Sequence, residues 1–441
     1  MWTRYSQWAV LLACAAGLSA PLVAAATLPA QSLQARIDAT APGDVLELAA
    51  GIYRGPVTIE QAMTLRGLPG AVIDGGREGS VIRVRAPHVS IEGLTIRNSG
   101  LNLGNDEAGI HATGDSVSII NNRIESCLHG IYLREVKGGT LRGNSIVGAT
   151  GGTLEPIHDA LTAGAPRLGG GSEFCAVALL DSNRRGNGIH LFSSSDLRIE
   201  NNRVARTRDG IYFSFTDACV ATGNHVSDTR YGLHYMYSNE NRFDHNYFDR
   251  NAAGAALMYS GGLRVENNDF SGNRGSRAYG MLLQSVDDST IQNNLFADNT
   301  IGLYAENCQH NAFVGNHIAG NYIGLRMGGS SADNRVAQNR FARNLHPAEF
   351  AGTADANQWS DPQYGNLWQL SQSPDLDGDG VGELAHREAD FLGDMRRSFP
   401  LVGLLSGSPG LELLRFAQSR AKLPQLPTIE DPHPLTRTIA P

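Results

Sequence analysis

Lysine is nearly absent from this sequence of 441 residues: there are two, Lys137 and Lys422, and arginine supplies almost all of the positive charge. Charged residues make up 18% of the chain, aromatic residues 7%, and the formal net charge is −8. The lack of a basic patch argues against nucleic acid as a partner. With 41% hydrophobic residues, the chain is also too apolar to be intrinsically disordered.

Long hydrophobic runs are missing as well. The apolar stretch from Trp8 to Leu18 is too short to span a membrane. With Arg4 before it and Ala24–Ala26 after it, it predicts a cleaved signal peptide over residues 1–26 and export from the cytoplasm. Cys14 ends a segment that resembles a lipoprotein cleavage box, but only about five apolar residues precede it, so we favour a soluble mature protein over a lipid anchor.

The remaining cysteines show no CxxC spacing, which excludes a thiol-rich zinc or redox motif. They are Cys127, Cys175, Cys219 and Cys308. We interpret them as small buried hydrophobic residues, and any disulfide pairing stays open.

A repeat of about 22 residues organises most of the chain. It contains two elements, Asn-x-[Ile/Val/Phe] and Gly-[Ile/Leu]-x. The asparagines are Asn122, Asn144, Asn202, Asn224, Asn246, Asn268, Asn294, Asn316 and Asn339. The glycines are Gly109, Gly130, Gly188, Gly210, Gly232, Gly280, Gly302 and Gly324, with a weaker copy at Gly254.

Short alternating apolar runs within each repeat indicate strands rather than helices. Three strands per repeat predict an all-β fold, a single-stranded right-handed parallel β-helix whose coils stack ~4.8 Å apart. We expect the asparagines to form a ladder of side-chain amides along an inward corner, and the glycines to permit a backbone turn. Ser32 to Ala39 predicts a short helix that caps the open end of the solenoid.

These patterns divide the chain into a signal peptide (1–26), a β-helix (27–347) with an insertion (150–187), a loop-rich segment (348–407) and a C-terminal helix with a proline-rich tail (408–441). The repeat is predicted to end near Leu345. We expect the tail to dock a partner and to be removable without unfolding the solenoid. The predicted docking residues are Leu411, Leu414, Phe416 and His433.

Strand alternation places the second and fourth residues after each repeat glycine on the outer surface. His234 and Met236 then share the outer face of one strand, and Met258 lies beside them on the next coil. Thioether and imidazole are ligands that suit Cu(I), so these residues predict an exposed copper site. The alternative is that they pack beneath the insertion or against a neighbouring protein.

A second candidate metal site is the acidic segment that contains Asp375, Asp377, Asp379 and Glu383. Alternate carboxylates followed by glycine resemble the start of a calcium loop. The twelfth position, where such a loop has a bidentate acid, is His386. A solvated acidic turn without metal is the alternative.

Many parallel β-helices cleave or epimerise polysaccharides with paired carboxylates. Here Asp209 and Glu306 are predicted to lie four or five coils apart, too far to act together. We therefore predict that the protein is not an enzyme. A polysaccharide lyase or epimerase remains the alternative, and a metal-free scaffold is the third hypothesis.

Several segments together resemble the NosD family. They are Leu33–Ile37, the repeated coils, Gly365–Trp368 before the acidic segment, and Asp431–Leu435 in the tail. The resemblance covers nearly the whole mature chain, and the C-terminal combination makes it specific.

The resemblance implies a periplasmic accessory protein that is needed to assemble the copper centres of nitrous oxide reductase. It also implies three partners besides the apo-reductase: the ATPase NosF and the membrane subunit NosY of an ABC transporter, and the copper chaperone NosL. No catalytic residues and no fixed copper ligands come with the resemblance.

Overall fold

The computed structural model describes most of the chain between residues 31 and 438. The described residues are 31–148, 185–275, 278–350, 356–369, 371–389, 408–410, 413, 416 and 428–438. The predicted signal peptide, Cys175 and nearly all of the predicted insertion lie outside them. No helix within these ranges has both the length and the apolar character needed to cross a membrane.

Three 12-stranded parallel sheets form the walls of a solenoid, which confirms the predicted β-helix. The strands are numbered β1 to β36 along the chain, and each sheet takes every third strand. The first sheet contains Val45–Leu48, Thr64–Gly67, Ser90–Glu92, Val117–Ile120, Lys137–Arg142, Ser195–Glu200, Val220–Thr222, Arg242–Asp244, Arg264–Glu266, Thr290–Gln292, Ala312–Val314 and Arg335–Ala337. The second contains Gly51–Arg54, Ala71–Asp74, Thr95–Arg97, Arg123–Cys127, Ser145–Gly148, Arg203–Ala205, His225–Ser227, Tyr247–Asp249, Asp269–Ser271, Leu295–Ala297, His317–Ala319 and Arg340–Ala342. The third contains Val57–Ile59, Ile82–Val84, Ala108–Ala112, His129–Arg134, Ile189–Phe192, Asp209–Ser214, Tyr231–Met236, Ala253–Gly261, Tyr279–Asp287, Ile301–Glu306, Ile323–Met327 and His346–Phe350.

The predicted asparagine ladder runs along the inside of the solenoid. The amide of Asn246 is typical: its Oδ1 accepts from the backbone N–H and from Nδ2 of Asn224, both at 2.9 Å, and its Nδ2 donates to Asn268 Oδ1 at 2.9 Å. The residue before each ladder asparagine from Asn122 to Asn339 adopts positive φ, as His245 does at 53°. This tight turn aims every amide into the core, where it meets the amides of the coils above and below.

The repeat glycines serve a different purpose from the one we predicted. Gly232 does not have positive φ, so it does not make the turn. A Cβ at Gly232 would instead lie 2.5 Å from the carbonyl oxygen of Gly254 and 2.8 Å from the Phe248 ring. Glycine is needed because the coils approach closely and inward aromatic rings fill the space beside the strand.

Aromatic rings stack through the core of the later coils. Phe248, Phe270 and Phe296 are fully buried, and their ring centroids are 5.1 and 5.2 Å apart with nearly parallel planes. The same inward position on successive coils therefore repeats one offset-stacked contact along the axis.

The three described cysteines, Cys127, Cys219 and Cys308, are buried free thiols. Burial raises the pKa of Cys127 to about 11 and the pKa of Cys219 and of Cys308 to about 12. They are therefore protonated at neutral pH and pack as small apolar groups, as predicted.

Helix α1, Leu33–Asp38, closes the first coil where the sequence predicts a cap. The Ser32 hydroxyl accepts from the backbone N–H of Ala35 at 3.2 Å, which satisfies one free donor at the helix start. Leu33 and Ile37 are buried in the core, and Gln34 exchanges two hydrogen bonds with the backbone of Thr58.

The opposite end of the solenoid corrects the prediction that the repeat stops near Leu345. The asparagine ladder continues to Asn366, and the next position is taken by Asp431, whose Oδ2 accepts from the backbone N–H of Asn366 at 2.7 Å. Trp368 stacks on Phe341 at 4.5 Å and donates from Nε1 to Asp431 at 2.8 Å.

The end of the tail is therefore a cap and not a removable docking arm. Strands β37, His386–Ala389, and β38, Thr428–Asp431, pair antiparallel above the last coil. His433 was predicted to contact a partner. Its backbone carbonyl oxygen accepts a hydrogen bond from the backbone N–H of Gly365 at 2.7 Å. Removing all residues after Ser408 would expose Trp368 and leave its indole N–H without an acceptor.

Candidate metal site on the outer face of the third sheet

Strands β21 (Tyr231–Met236) and β24 (Ala253–Gly261) bring the predicted copper ligands together. Met236 is paired in register with Met258, so these residues are adjacent on neighbouring coils. His234 lies two residues before Met236 on the same face. Neighbouring strands are ~4.8 Å apart and residues two apart on a strand are ~6.6 Å apart, so the three residues occupy adjacent positions on one face of the sheet.

The imidazole of His234 is held from one side by an ion pair. Its Nδ1 lies 2.9 Å from Oδ2 of Asp209, and Arg230 donates to both oxygens of that carboxylate at 2.7 and 2.5 Å. The Asp209 side chain is 2% exposed. Burial acts to raise the pKa of Asp209, but the charges and hydrogen bonds of His234 and Arg230 outweigh it and lower that pKa well below its ordinary value.

The ring of Tyr212 fixes the orientation of the imidazole. It lies one coil before His234, stacked at 4.2 Å between centroids with planes only 11° apart. Its hydroxyl points at the sulfur of Met236, 3.7 Å away. Tyr212 therefore links the imidazole to the first methionine.

The face that carries these residues is less exposed than predicted. Met258 is 2% exposed and His234 is 9% exposed, while Met236 is half-buried. The reason is a second apolar cluster outside the solenoid core, separate from the inward columns. It consists of Tyr231, Ala253, Ala256, Met258 and Leu282, with Met236, Tyr279 and Tyr304 packed against it. The two thioethers thus lie in an apolar pocket whose outer edge is Met236.

The acidic segment forms a compact loop beside the C-terminal cap. Asp375, Asp377 and Glu383 each place a carboxylate oxygen within 4.8 Å of the others, and they are the one such triad of His, Cys, Asp or Glu among the described residues. Asp379, the fourth predicted ligand, is not part of this triad. His386, at the twelfth position, is buried and stacked on Trp368 at 4.8 Å, so Glu383 supplies the third carboxylate instead.

The remaining predicted residues do not converge on either site. Glu306 is four coils from Asp209 along the third sheet and accepts a hydrogen bond from Tyr304. Phe416 is 52% exposed, whereas Leu411 and Leu414 lie outside the described residues.

Sequence reasoning missed the Asp209–Arg230 pair, although a signal for it was present. Asp209 directly precedes a repeat glycine, and the residue paired with it on the next coil is Tyr231. A carboxylate at the first, buried position of a solenoid strand requires a partner. Arg230 and His234 of the next coil supply it.

Comparison with known proteins identifies relatives over most of the chain. A family model described as "Periplasmic copper-binding protein (NosD)" matches residues 171–372. A protein from Pseudomonas aeruginosa strain PAO1, named "Probable ABC transporter binding protein NosD", is 36% identical over 406 residues, which cover 88% of this chain and 87% of that protein. A protein of the same name from Stutzerimonas stutzeri is 33% identical over 409 residues, covering 88% of this chain and 86% of the relative.

Among solved structures, the fold is similar to the A-module of mannuronan C-5 epimerase AlgE6 from Azotobacter vinelandii. The TM-score is 0.55 with 14% sequence identity, over 77% of this chain and 94% of the module. At this identity the likeness shows the β-helix fold alone.

Proposed function

This chain belongs to the NosD family, and on that premise we propose that it is a periplasmic accessory protein that receives Cu(I) and passes it to nitrous oxide reductase during maturation of that enzyme. The proposal treats copper as cargo, bound and then released. The proposal is supported by the adjacent positions of His234, Met236 and Met258 on neighbouring strands.

The donor set fits the cargo. Two thioethers and one neutral imidazole are soft or borderline ligands that favour Cu(I) over hard cations such as Mg²⁺ or Ca²⁺. The apolar surroundings of Met258 limit access of water, and the half-buried Met236 is the ligand that a partner can approach. A low-coordinate Cu(I) ion can then pass from one thioether to an incoming ligand without entering solvent.

We propose that the copper chaperone NosL supplies the ion and that the ABC transporter of NosF and NosY docks at the C-terminal part of the chain. Leu411, Leu414 and Phe416 remain the proposed docking residues. His433 is no longer among them, because its backbone belongs to the cap.

We also propose that calcium binds Asp375, Asp377 and Glu383 as a structural ion. The loop already touches the tail: Thr436 donates to Asp375 at 3.2 Å and Arg437 donates to the carbonyl of Gly378 at 2.7 Å. Neutralising three clustered carboxylates would tighten the loop against the cap.

The deciding experiment is an anaerobic Cu(I) titration of the mature protein against a competing chelator. The double variant Met236→Leu, Met258→Leu keeps volume and apolar character but removes both sulfurs, so we expect its Cu(I) affinity to fall at least 100-fold. The matched control is Met281→Leu, Met327→Leu, which changes two methionines of the inner core and should bind as the wild type does.

Equal affinities of the wild type and the outer double variant would refute the methionine site. Transfer is tested by mixing the Cu(I)-loaded protein with apo-reductase and following copper in each after separation. Retention of all copper by this chain in the presence of the apo-enzyme would contradict a delivery function.

A further inference from the structure

We propose that Asp209 and Arg230 are positioning residues for copper: Asp209 fixes the tautomer of His234 so that Nε2 is the metal-binding atom, and Arg230 offsets the carboxylate charge so that the ion can be released. The inference rests on the proposed function for the identity of the metal, but its first part concerns the metal-free protein and stands or falls separately.

The tautomer follows from the hydrogen bonds. Arg230 donates to both oxygens of Asp209, so the carboxylate is ionised and can only accept. The proton in the 2.9 Å contact with His234 therefore belongs to Nδ1. In a neutral imidazole the other nitrogen, Nε2, then carries a lone pair, which is the arrangement of carboxylate–histidine–metal sites.

His190 is a histidine at the same outer position of the third sheet that has no carboxylate beside it. It occupies the equivalent outer position two coils earlier and stacks on the other face of Tyr212 at 4.6 Å. Neither of its ring nitrogens has a hydrogen-bond partner within the described part of the chain. Nothing there selects a tautomer, whereas Asp209 selects one at His234.

Arg230 is expected to lower the metal affinity that the Asp209 carboxylate raises. A buried carboxylate behind a histidine increases the basicity of the ligand and adds a negative charge near the ion. The guanidinium of Arg230 cancels that charge and is itself held over the Tyr231 ring at 4.5 Å. The pair therefore keeps the orienting hydrogen bond while the site stays nearly neutral, which suits an ion that must leave.

The test compares Cu(I) affinities of two variants with opposite predicted signs. Asp209→Asn should weaken Cu(I) binding about 10- to 100-fold, the usual loss when an outer partner of a metal-bound histidine is removed. Arg230→Gln should strengthen binding, and we expect a change of about 10-fold and slower transfer to a chelator. Asp244→Asn is the matched control, because it removes an aspartate that contacts His245 at 2.7 Å on the far side of the solenoid.

The nitrogen-15 NMR spectrum of His234 in the metal-free protein reports the tautomer directly. Loss of packing alone would not change which nitrogen carries the proton. With the ring in its neutral form, we expect a protonated Nδ1 and an unprotonated Nε2 in the wild type and in Arg230→Gln, and a mixture of tautomers in Asp209→Asn. If Asp209→Asn does not fold, the wild-type spectrum still tests the tautomer and the Cu(I) affinity of Arg230→Gln still tests the charge effect.

Two results would overturn the inference: a protonated Nε2 in the wild type, or weaker Cu(I) binding by Arg230→Gln than by the wild type. Failure of the wild type to bind Cu(I) would instead overturn the proposed function, and the tautomer measured in the metal-free protein would still stand.

Discussion

The inside of the solenoid and the outer face of its third sheet follow different rules. Along the inside, each coil repeats the residue types of the coil before it, as with Phe248 and Phe270 or Asn224 and Asn246. Along the outside, histidine and tyrosine alternate over five coils in contact with one another, and the later coils carry other residue types. From β9 to β33 the outer position reads His111, Tyr132, His190, Tyr212, His234, Ala256, Leu282, Tyr304 and Arg326.

The physical reason is the environment of each face. An inward side chain meets copies of itself above and below, so one stable contact can be used on every coil. An outward side chain has no such constraint and is available for chemistry. The comparison predicts that inner substitutions change stability and leave copper affinity intact, and that outer substitutions do the reverse.

The largest loss of stability is expected for Asn246→Ala. This change leaves the backbone N–H and the side-chain amide of Asn224 without their acceptor and the carbonyl of Ala221 without its donor. With the bond that the Asn246 amide donates to Asn268, four buried hydrogen bonds are lost, which should lower the free energy of unfolding by about 4 kcal/mol. Denaturant unfolding of the wild type and the variant measures this difference in free energy. The control is Asn239→Ala, which removes a single exposed acceptor of the backbone N–H of Gly261, and an equal loss there would contradict the buried ladder as a source of stability.

A somewhat smaller loss is expected for Gly232→Ala. The added methyl group would meet the carbonyl oxygen of Gly254, which is backbone and can move only if the coil spacing changes. Overpacking of this kind should lower the free energy of unfolding by about 3 kcal/mol. The matched change is Gly410→Ala, where no atom lies within 4 Å of the new Cβ. Unchanged stability of Gly232→Ala would mean that glycine is not required for the approach of the coils.

The repeat is also what made the inside predictable. The spacing of Asn122, Asn144 and their successors indicated strands, coils and the ladder, and Leu33 and Ile37 indicated the helical cap. The role of the glycines was misassigned because sequence spacing alone does not distinguish a turn from a close approach of two coils.

Contacts that occur once in the molecule could not be read from the sequence. Asp431 terminates the ladder across 65 residues from Asn366, without any repeat to relate the two positions. Asp209 and His234 are 25 residues apart, slightly more than one coil, so they do not share a column of the repeat. The outer pocket around Met258 likewise combines two repeat positions: Tyr231 and Tyr279 directly precede repeat glycines, whereas Tyr304 follows one by two residues.

Asp431 gives a prediction about the pH dependence of stability. Burial raises the pKa of this carboxyl above its ordinary value, so the folded protein binds the proton more tightly than the unfolded chain does. The contribution of Asp431 to stability is then greatest at low pH and is lost as pH rises from its ordinary value of 3.8 through the higher folded pKa.

Asp431→Asn keeps an oxygen acceptor for Asn366 and Trp368 but cannot ionise. The difference in unfolding free energy between wild type and variant should shift in favour of the wild type as pH is lowered through this window. Using the difference cancels the carboxylates with lowered pKa, such as Asp74 and Asp244, which lose stability in acid in both proteins. A difference that does not vary with pH would show that Asp431 titrates alike in both states.

The smallest effect on stability, and the clearest distinction between the two faces, is expected for Met236→Leu, Met258→Leu. Replacement of methionine by leucine nearly conserves volume, so the outer pocket should lose less than about 1.5 kcal/mol of unfolding free energy, while Cu(I) affinity falls as argued above. Asn246→Ala should show the inverse, with a large loss of stability and unchanged Cu(I) affinity under conditions where it is folded. If the methionine variant lost as much stability as the ladder variant, these thioethers would be packing residues, and the distinction between a structural inside of the solenoid and a chemical outer face of the third sheet would be wrong.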